Sequence, residues 1–333
     1  MRHGFVHMFR AAVLAGIAGL VATAGPAKAL TVDFAIWYSD RDMYAPIMKN
    51  WAAEIEKRTQ GRVKMNLQFS GALVSAKDTL NAVRSGAVGG GTTSASFVIG
   101  LVRELAYVEP FFWIPDKPDI ANKMVTEVDA KTRPLLEKHG IMNLFSYPSA
   151  GLIVACTNAP IKTLADWKGK KIRTAGRWQG LQLRALGASA VAIDPGELYI
   201  ALQNKTVDCT MFLANLALSG KIYEVAPYIT DLREGANSSL YYMNLDLWKK
   251  ISPEDQKTIM EISADVVKTS GLRVVEEQKR ALAEMEKLGA HVYRSSDADI
   301  AAIKKQIAPV WDEIAKAVGP AGDPVREILK QNM

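Results

Sequence analysis

The charge balance of this 333-residue chain argues against a nucleic-acid partner, because 41 Lys and Arg stand against 35 Asp and Glu, a formal net charge of +6. A nucleic-acid-binding protein would cluster its basic residues on one face, whereas here acidic and basic residues interleave along helical stretches such as 54–58 and 276–280. The length exceeds that of one typical hydrophobic core and predicts two domains.

The N-terminus has the pattern of a secretory signal peptide. Arg2 and Arg10 are followed by an apolar run, 11–24, and by the small-residue motif Ala-Lys-Ala. The run is shorter than the ~20 residues that a membrane-spanning helix needs, and no later stretch approaches that length. We therefore predict that residues 1–29 are removed and that the mature chain is periplasmic, with a net charge of +3 (6 − 3, because the leader holds three basic residues and no acidic ones). An uncleaved anchor is the alternative.

Strands and helices alternate at the start of the mature chain. The segment 30–37 alternates apolar and polar residues like a strand, and apolar residues then recur at helical spacing over 43–55. A second strand is predicted at 61–69 and a second helix at 75–85. Such βαβ units favour an open, mostly parallel sheet and an α/β fold class.

The next segment is glycine-rich and reads "GAVGGGTTSASF" (86–97). It has neither the GKS/T ending of a phosphate loop nor the GxGxxG spacing of a dinucleotide loop. Its glycines instead allow the backbone to approach another group closely. We therefore expect no nucleotide cofactor.

One arginine stands out in the middle of the chain, in "KGKKIRTAGRWQG" (168–180). Arg173 follows Ile172 in a predicted strand and precedes a turn at 175–176, so we expect its guanidinium to be partly withdrawn from water. The residue types alone leave two interpretations open, a structural ion-pair residue or an anion-binding residue.

The segment 192–212 has the clearest local signals. Asp194 is placed to cap a helix that has Pro195 in its first turn and Glu197 reaching back, a variant of the capping box. A strand then begins at Thr206 and ends near 212. Such a strand delivers its last residues to the edge of the sheet where α/β folds place ligands.

A second capped start, at 252–255, opens a helical pattern that continues to about Leu288. At about 1.5 Å per residue this helix would be more than about 50 Å long, which is longer than a small domain is wide. We therefore predict one long helix that contacts both domains, with Gly271 as a candidate kink.

The chain has two cysteines, Cys156 and Cys209, and both lie in apolar, strand-like segments without metal-ligand spacing. Buried free thiols are the favoured interpretation. A disulfide stays open as the alternative, because the sequence cannot tell whether the two Cα atoms lie within bridging reach.

The sequence offers no catalytic group in a recognisable setting. After the predicted leader, the histidines are His139 and His291, and neither stands in a catalytic motif. The paired acids at 276–277 lie in a charged helical run and are expected to be solvated. We therefore predict a protein that is not an enzyme, with no metal-binding residues of its own and no cofactor, while a metal ion bound together with a ligand stays open.

Four motifs in this order resemble one family. They are "SGAL", "TNAPIKTLADWKGKKIRT", "LGASAVAIDPGELYIALQNKTVD" and "SSLYYMN". From about Leu30 onward the chain resembles the periplasmic solute-binding proteins of TRAP (tripartite ATP-independent periplasmic) transporters, the DctP type. The receptor of an ATP-driven importer is the alternative, against which the long helix and the Arg173 motif argue.

The resemblance implies a two-domain α/β fold, the periplasmic binding protein fold, with a hinge, a long helix spanning both domains and a ligand cleft between them. Its partners would be a small organic acid and the TRAP membrane subunits. The division it implies is 30–150 with 239–278 for domain I, and 151–238 with 279–333 for domain II.

The resemblance also implies a ligand site. In the family, the arginine that matches Arg173 forms a salt bridge with a ligand carboxylate, and Trp37 and Ser94 fall where relatives contact ligand. Two polar anchors of relatives are replaced here, by Ile153 and Phe212, and Cys209 replaces a glycine. An apolar cleft with one arginine predicts a monocarboxylate with an apolar or aromatic body. Weaker predictions for the site are Tyr38, Trp178, Asn215, Ser96 and Phe97.

Overall fold

A computed structural model describes residues 29–112, 117–149, 151–233 and 237–332, so residues 1–28 of the predicted signal peptide lie outside the described residues. The strands of this part of the chain are β1 (Leu30–Ala35), β2 (Val63–Gln68), β3 (Gly90–Ser94), β4 (Ile141–Ser149), β5 (Leu152–Cys156), β6 (Lys171–Thr174), β7 (Ser189–Ala192), β8 (Cys209–Leu213), β9 (Tyr228–Asp231), β10 (Asn237–Asn244) and β11 (His291–Arg294).

The helices of the same residues flank the strands. They are α1 (Tyr44–Arg58), α2 (Thr79–Arg84), α3 (Pro118–Glu137), α4 (Arg177–Ala185), α5 (Leu198–Gln203), α6 (Ala214–Ser219), α7 (Ile222–Val225), α8 (Leu245–Trp248), α9 (Pro253–Lys287), α10 (Asp297–Ile307), α11 (Pro309–Val318) and α12 (Asp323–Asn332). Short 3₁₀ turns lie at Ala95–Phe97, Arg103–Val108, Leu164–Trp167, Pro195–Glu197 and Gly319–Gly322.

The strands form two sheets. The first has the order β2-β1-β3-β10-β4, in which β1 runs parallel to β2 and β3 while β10 runs antiparallel to β3 and β4. The second has the order β11-β9-β5-β8-β6-β7, in which β5 runs antiparallel to β8 and β9. Two sheets with helices on their faces confirm the predicted two-domain α/β architecture.

The first predicted elements begin or end a few residues away from the observed ones. The first strand stops at Ala35, although the backbone of Ile36 still donates to Gln68. The second helix begins only at Thr79, because 75–78 form a turn in which the Ser75 hydroxyl donates to Asp78. Such differences at element ends are ordinary, since helix and strand ends are the least specified parts of a pattern.

The long helix α9 is continuous over 35 residues, about 52 Å at 1.5 Å per residue. The Ser252 hydroxyl accepts from the backbone N–H of Asp255 and caps its first turn. Ile259 and Ile262 pack in the core of the first sheet, whereas Leu282 and Met285 pack in the core of the second. The helix therefore spans both halves of the molecule, as predicted.

The last two helices fold back toward the first sheet. Val310 and Ile314 of α11 and Ile328 of α12 share a hydrophobic core with Val125 of α3 and with the 3₁₀ segment Arg103–Val108. The predicted division placed these C-terminal residues in domain II, and α11 also packs on Trp178 of α4 in that half. The division stays a proposal.

Cys156 and Cys209 form a disulfide, so the favoured interpretation of free thiols is wrong. The two residues are direct partners on the antiparallel strands β5 and β8, with their Cα atoms 4.0 Å apart. Opposite positions on neighbouring antiparallel strands bring side chains into contact, which is a register that the sequence alone did not reveal.

The predicted cap at Asp194 is present, but it starts a 3₁₀ turn rather than the helix itself. Asp194 Oδ1 accepts from the backbone N–H of Gly196 at 2.9 Å, and α5 begins at Leu198. The backbone N–H of Glu197 donates to the carbonyl of Asp194 at 3.0 Å, but within the described residues the Glu197 side chain does not complete a capping box. The strand that follows α5, β8, ends at Leu213, next to the edge of the second sheet that faces the first sheet.

Candidate ligand-binding site

A cavity of about 540 Å³, including its opening to solvent, lies between the two sheets. Its lining comes from both halves of the molecule, with β3 and β10 on one side and β5, β6 and β8 on the other. The lining residues are Trp37, Ser94, Phe97, Phe111, Leu152, Arg173, Ala175, Gln179, Pro195, Met211, Phe212, Leu213, Leu216 and Ser239.

Arg173 is held in this cavity by the sheet beneath it. It lies on β6, between β7 and β8, and opposite Val191 and Thr210. Its side chain is 3% exposed, its Nε donates to the carbonyl of Ile193 at 2.9 Å, and its guanidinium carbon lies 5.5 Å from the ring centroid of Phe212. These contacts fix the guanidinium plane and leave its terminal nitrogens for other partners.

The charge of Arg173 is poorly compensated by the protein. Burial lowers the pKa of Arg173 to about 10, and the nearby carboxylate of Asp194 opposes this shift only in part, so the side chain stays protonated at neutral pH. Within the described residues, no carboxylate lies within ion-pair distance of the guanidinium, and its buried Nη2 has no hydrogen-bond partner. A buried cationic N–H without a partner is costly, and an anionic ligand oxygen would remove that cost.

The walls around Arg173 are mostly apolar. Phe212 lies against the guanidinium, and Phe97, Phe111 and Met211 complete the lining on either side. Trp37, which follows β1, is held edge to face against Tyr38, with ring centroids 5.6 Å apart. Such a lining suits a ligand whose body is apolar or aromatic.

The floor of the cavity includes Gln179, which the sequence analysis did not single out. Its Oε1 accepts from the hydroxyl of Thr174 at 2.7 Å and from the backbone N–H of Ala175 at 3.1 Å, and its Nε2 donates to the carbonyl of Glu109 at 3.0 Å. The sequence feature that could have pointed to Gln179 is its position one residue after Trp178, in the first turn of α4. The side chain of Trp178 points instead into the hydrophobic core and does not line the cavity.

Glu109 anchors the chain segment before α3 to the N-terminus of α4. Its Oε1 accepts from the backbone N–H groups of Trp178 (3.1 Å) and Gln179 (3.4 Å), as expected for a carboxylate at a helix N-terminus. Burial raises the pKa of Glu109 to about 8, and those two hydrogen bonds offset the shift only in part. Gly176 is required here, because a Cβ at this position would collide with the Glu109 carboxylate.

The structure leaves five of the predicted site residues outside the cavity lining: Ile153, Tyr38, Trp178, Asn215 and Ser96. Ile153 is fully buried among Ala155 and Leu198, while its neighbour Leu152 lines the cavity, because successive side chains alternate along β5. Trp178 and Asn215 also lie outside the lining. Arg173, Trp37, Ser94 and Phe212 lie within it, as does the weaker prediction Phe97, whereas Ser96 does not.

Tyr38 lines a neighbouring opening of the cleft, whereas Asn215 makes a contact between the two halves of the molecule. Asn215 Nδ2 donates to both carboxylate oxygens of Asp42 at 3.2 Å, and the Ser219 hydroxyl donates to the same carboxylate at 3.0 Å. Tyr38 lines this opening, and its hydroxyl is paired with that of Tyr241 at 3.1 Å. Burial raises the pKa of Asp42 to about 6. Asp42 and Asn215 therefore join the two halves of the molecule, whereas Tyr38 contacts Tyr241 of its own half.

Among the residues that the structure describes, no group of three or more His, Cys, Asp or Glu side chains is arranged to hold a metal ion. None of the helices in this part of the chain combines the length and the apolar character that crossing a membrane requires.

The chain is similar to known solute-binding proteins over most of its length. The family described as DctP, bacterial extracellular solute-binding protein family 7, matches residues 34–317. A solute-binding protein of Albidiferax ferrireducens is 26% identical over 81% of this chain and 78% of its own. The 2,3-diketo-L-gulonate-binding periplasmic protein of Escherichia coli is 24% identical over 84% of this chain and 86% of its own.

A solved structure has the same fold. The TRAP periplasmic solute-binding protein of Desulfovibrio salexigens, crystallised with bound orotic acid, superimposes with a TM-score of 0.86 at 24% identity and covers 91% of this chain and 98% of its own. The two-domain architecture described above is therefore that of the periplasmic solute-binding proteins.

Proposed function

This chain belongs to the DctP family, family 7 of the bacterial extracellular solute-binding proteins, and we propose that it captures an organic acid in the cleft between its domains for uptake by a TRAP transporter. The main observation in support of this proposal is that Arg173 is a buried, charged side chain without an anionic partner among the described residues. Its guanidinium is buried and charged, faces the cavity, and leaves Nη2 without a partner in the part of the chain that the structure describes. A ligand carboxylate supplies the missing anion and the missing acceptor together.

The finer proposal is a monocarboxylate with an apolar or aromatic body. Arg173 is the cationic side chain in the lining, so the cavity offers charge compensation for one carboxylate. The aromatic walls leave few partners for a chain of hydroxyl groups, and burying hydroxyls without partners costs binding energy. One relative named above is a 2,3-diketo-L-gulonate-binding protein, and the solved structure contains bound orotic acid. Both ligands are organic acids, which supports an organic acid as the ligand class.

The proposed mechanism is capture by closure of the two domains. Two sets of hydrogen bonds support it, because each joins a residue of the first half of the molecule to a residue of the second. Asp42 of the first domain accepts from Asn215 and Ser219, and Asp194 of the second accepts from the backbone N–H of Lys77 at 3.2 Å. A ligand shifts the equilibrium only if it binds the closed form better than the open one, and contacts from both walls supply that difference.

We further propose that the mature chain works in the periplasm and presents its closed form to the TRAP membrane subunits. The chain then needs neither a nucleotide nor a cofactor, because the membrane partner uses the ion gradient. A receptor role requires no chemical step on the ligand.

The test begins with a thermal-shift screen of the mature chain against aliphatic, keto and aromatic carboxylates, because a ligand at about 100 times its Kd adds about 2.7 kcal/mol of stability. Calorimetry on the best acid then compares wild type with Arg173→Ala. We expect the variant to bind at least about 30-fold more weakly, since breaking a buried charge pair costs about 2 to 5 kcal/mol.

Arg177→Ala is the matched control for this test. It removes the same charge four residues away, from an exposed side chain that lies outside the cavity lining and stacks on Trp178. Its affinity should stay within about threefold of wild type. Equal affinities of wild type and Arg173→Ala would contradict the proposed site.

A further inference from the structure

A carboxylate is buried where the two halves of the molecule meet. Asp42, in the loop before α1, is 2% exposed, and its Oδ1 accepts from the backbone N–H of Tyr44 at 3.0 Å. It also accepts from α6, where Nδ2 of Asn215 lies 3.2 Å from each carboxylate oxygen and the Ser219 hydroxyl lies 3.0 Å from Oδ2. Because α6 follows β8 of the second sheet while Tyr44 packs in the core of the first, separation of the halves would return Asp42 to water.

The surroundings of Asp42 disfavour its charged form. Burial raises the pKa of Asp42 from 3.8 to about 6, and the hydrogen bonds that the carboxylate accepts offset this rise only in part. The negative charge of Glu277 in α9 adds to the rise. The titratable neighbours on the other packed segments are Tyr38, Tyr44 and Tyr241, whose phenols are uncharged at neutral pH. Within the described residues, no cationic side chain compensates the carboxylate.

The same contact also accommodates a protonated Asp42. The hydroxyl oxygen of Ser219 lies 3.0 Å from Oδ2 of Asp42 and 3.4 Å from the carbonyl oxygen of Leu216, so the hydroxyl can donate to either. A hydroxyl donates one hydrogen bond and accepts up to two. When Asp42 is protonated, it donates to Ser219 while Ser219 donates to Leu216. The two halves therefore stay joined after the carboxylate has lost its charge.

We propose that Asp42 is a positioning residue that makes closure of the two domains depend on pH, so that the cleft closes more readily in a more acidic medium. This inference rests on the proposed function, because it takes ligand capture to require closure. In the open form Asp42 is solvated and its pKa returns toward 3.8, so the closed form binds the proton more tightly. The advantage of the closed form is lost as pH rises through about 6, and the ratio of closed to open molecules should increase about tenfold between pH 7 and pH 5.

The test measures closure without a ligand, by small-angle scattering of the mature chain at pH 7 and at pH 5. We expect the wild type to have a smaller radius of gyration at pH 5. Asp42→Asn should be compact at both pH values, because its amide is uncharged, accepts from Asn215 and donates to Ser219. Asp40→Asn is the matched control, since it removes the same charge from an exposed side chain two residues away and should respond to pH as the wild type does.

Asn215→Asp gives a second and opposite test. It places a carboxylate beside that of Asp42, at the position where the two side chains are 3.2 Å apart, and two such groups cannot both ionise at low cost. This variant should be expanded at pH 7 and compact at pH 5, whereas a variant that had only lost a hydrogen bond would open equally at both. The inference is overturned if wild type and Asp42→Asn respond alike to pH, or if Asn215→Asp is as compact as the wild type at pH 7.

Failure of the inference and failure of the proposed function give different results, because the scattering measurement involves no ligand. If Arg173→Ala binds the best acid of the screen as tightly as wild type does, the carboxylate site itself is wrong. If Arg173→Ala loses binding but closure does not depend on Asp42, only the role of Asp42 falls.

Discussion

Replacing Arg173 with methionine should make the free protein more stable while it abolishes binding of the acid. Burial lowers the pKa of Arg173 from 12.5 to about 10. At 1.36 kcal/mol for each pKa unit, keeping the charge in place costs the folded state about 3 kcal/mol at neutral pH. Methionine fills a similar space without charge, and it loses the hydrogen bond to Ile193 (about 1 kcal/mol) and the contact with Phe212 (about 0.5 to 1 kcal/mol). The net expectation is a gain of about 1 to 2 kcal/mol.

The assay is urea unfolding of the mature chain without ligand, followed by tryptophan fluorescence, with calorimetry on the same samples for binding. Arg62→Met is the contrasting control, because the Arg62 guanidinium is paired with Asp255 at 2.7 Å and the Asp255 side chain is only 4% exposed. That variant should lose stability, since it leaves a buried carboxylate without its partner. The reasoning is refuted if Arg173→Met loses stability as Arg62→Met does, because the charge of Arg173 would then be well compensated in the free protein.

Three other changes probe separate parts of the structure. Phe212→Asn should shift the ligand preference toward more polar acids in a competition thermal-shift assay, and an unaltered profile would count against Phe212 as a wall of the site. Glu109→Gln should flatten the fall in unfolding free energy between pH 6 and pH 8. The pKa of Glu109 is raised from 4.5 to about 8, so the folded state holds an extra proton across that range and loses stability as pH rises. The pKa values of Asp42 and Asp129 are raised only to about 6, so these two groups affect stability mainly at lower pH. An unchanged pH dependence of the unfolding free energy in urea titrations would reject this assignment to Glu109. Serine at both cysteines should lower the unfolding free energy by about 4 kcal/mol, because the disulfide closes a loop with a sequence separation of 53, and an unchanged urea midpoint would show that the link contributes little.

The elements that the sequence predicted well are those with strong local signals. The long helix from Pro253 has a capping serine, a proline in its first turn and a sustained helical pattern, so its bounds could be predicted to within a residue. Arg173 could be located because it lies between a predicted strand and a turn in a motif shared with a family. Local pattern and resemblance were sufficient in both cases.

The remaining parts of the site depend on contacts between distant segments. Glu109 and Gln179 are 70 residues apart and meet at the first turn of α4, and no periodic pattern connects them. Ile153 was predicted because it replaces a polar anchor of relatives, and Asn215 because it neighbours a matched position. Strand alternation and the contact with Asp42 direct their side chains elsewhere. The disulfide depended on the register between β5 and β8, which only the folded sheet specifies.

Because the C-terminal helices fold back onto the first domain, the end of the chain connects the two domains. After α10, which packs on the second domain, the chain returns to bury Val310, Ile314 and Ile328 in the first. A protein truncated after Ile307 would keep every residue of the cavity lining but would lose this connection between the domains. Its two domains would then move more freely relative to each other, and the apolar surface exposed on the first domain would promote aggregation of the ligand-free protein.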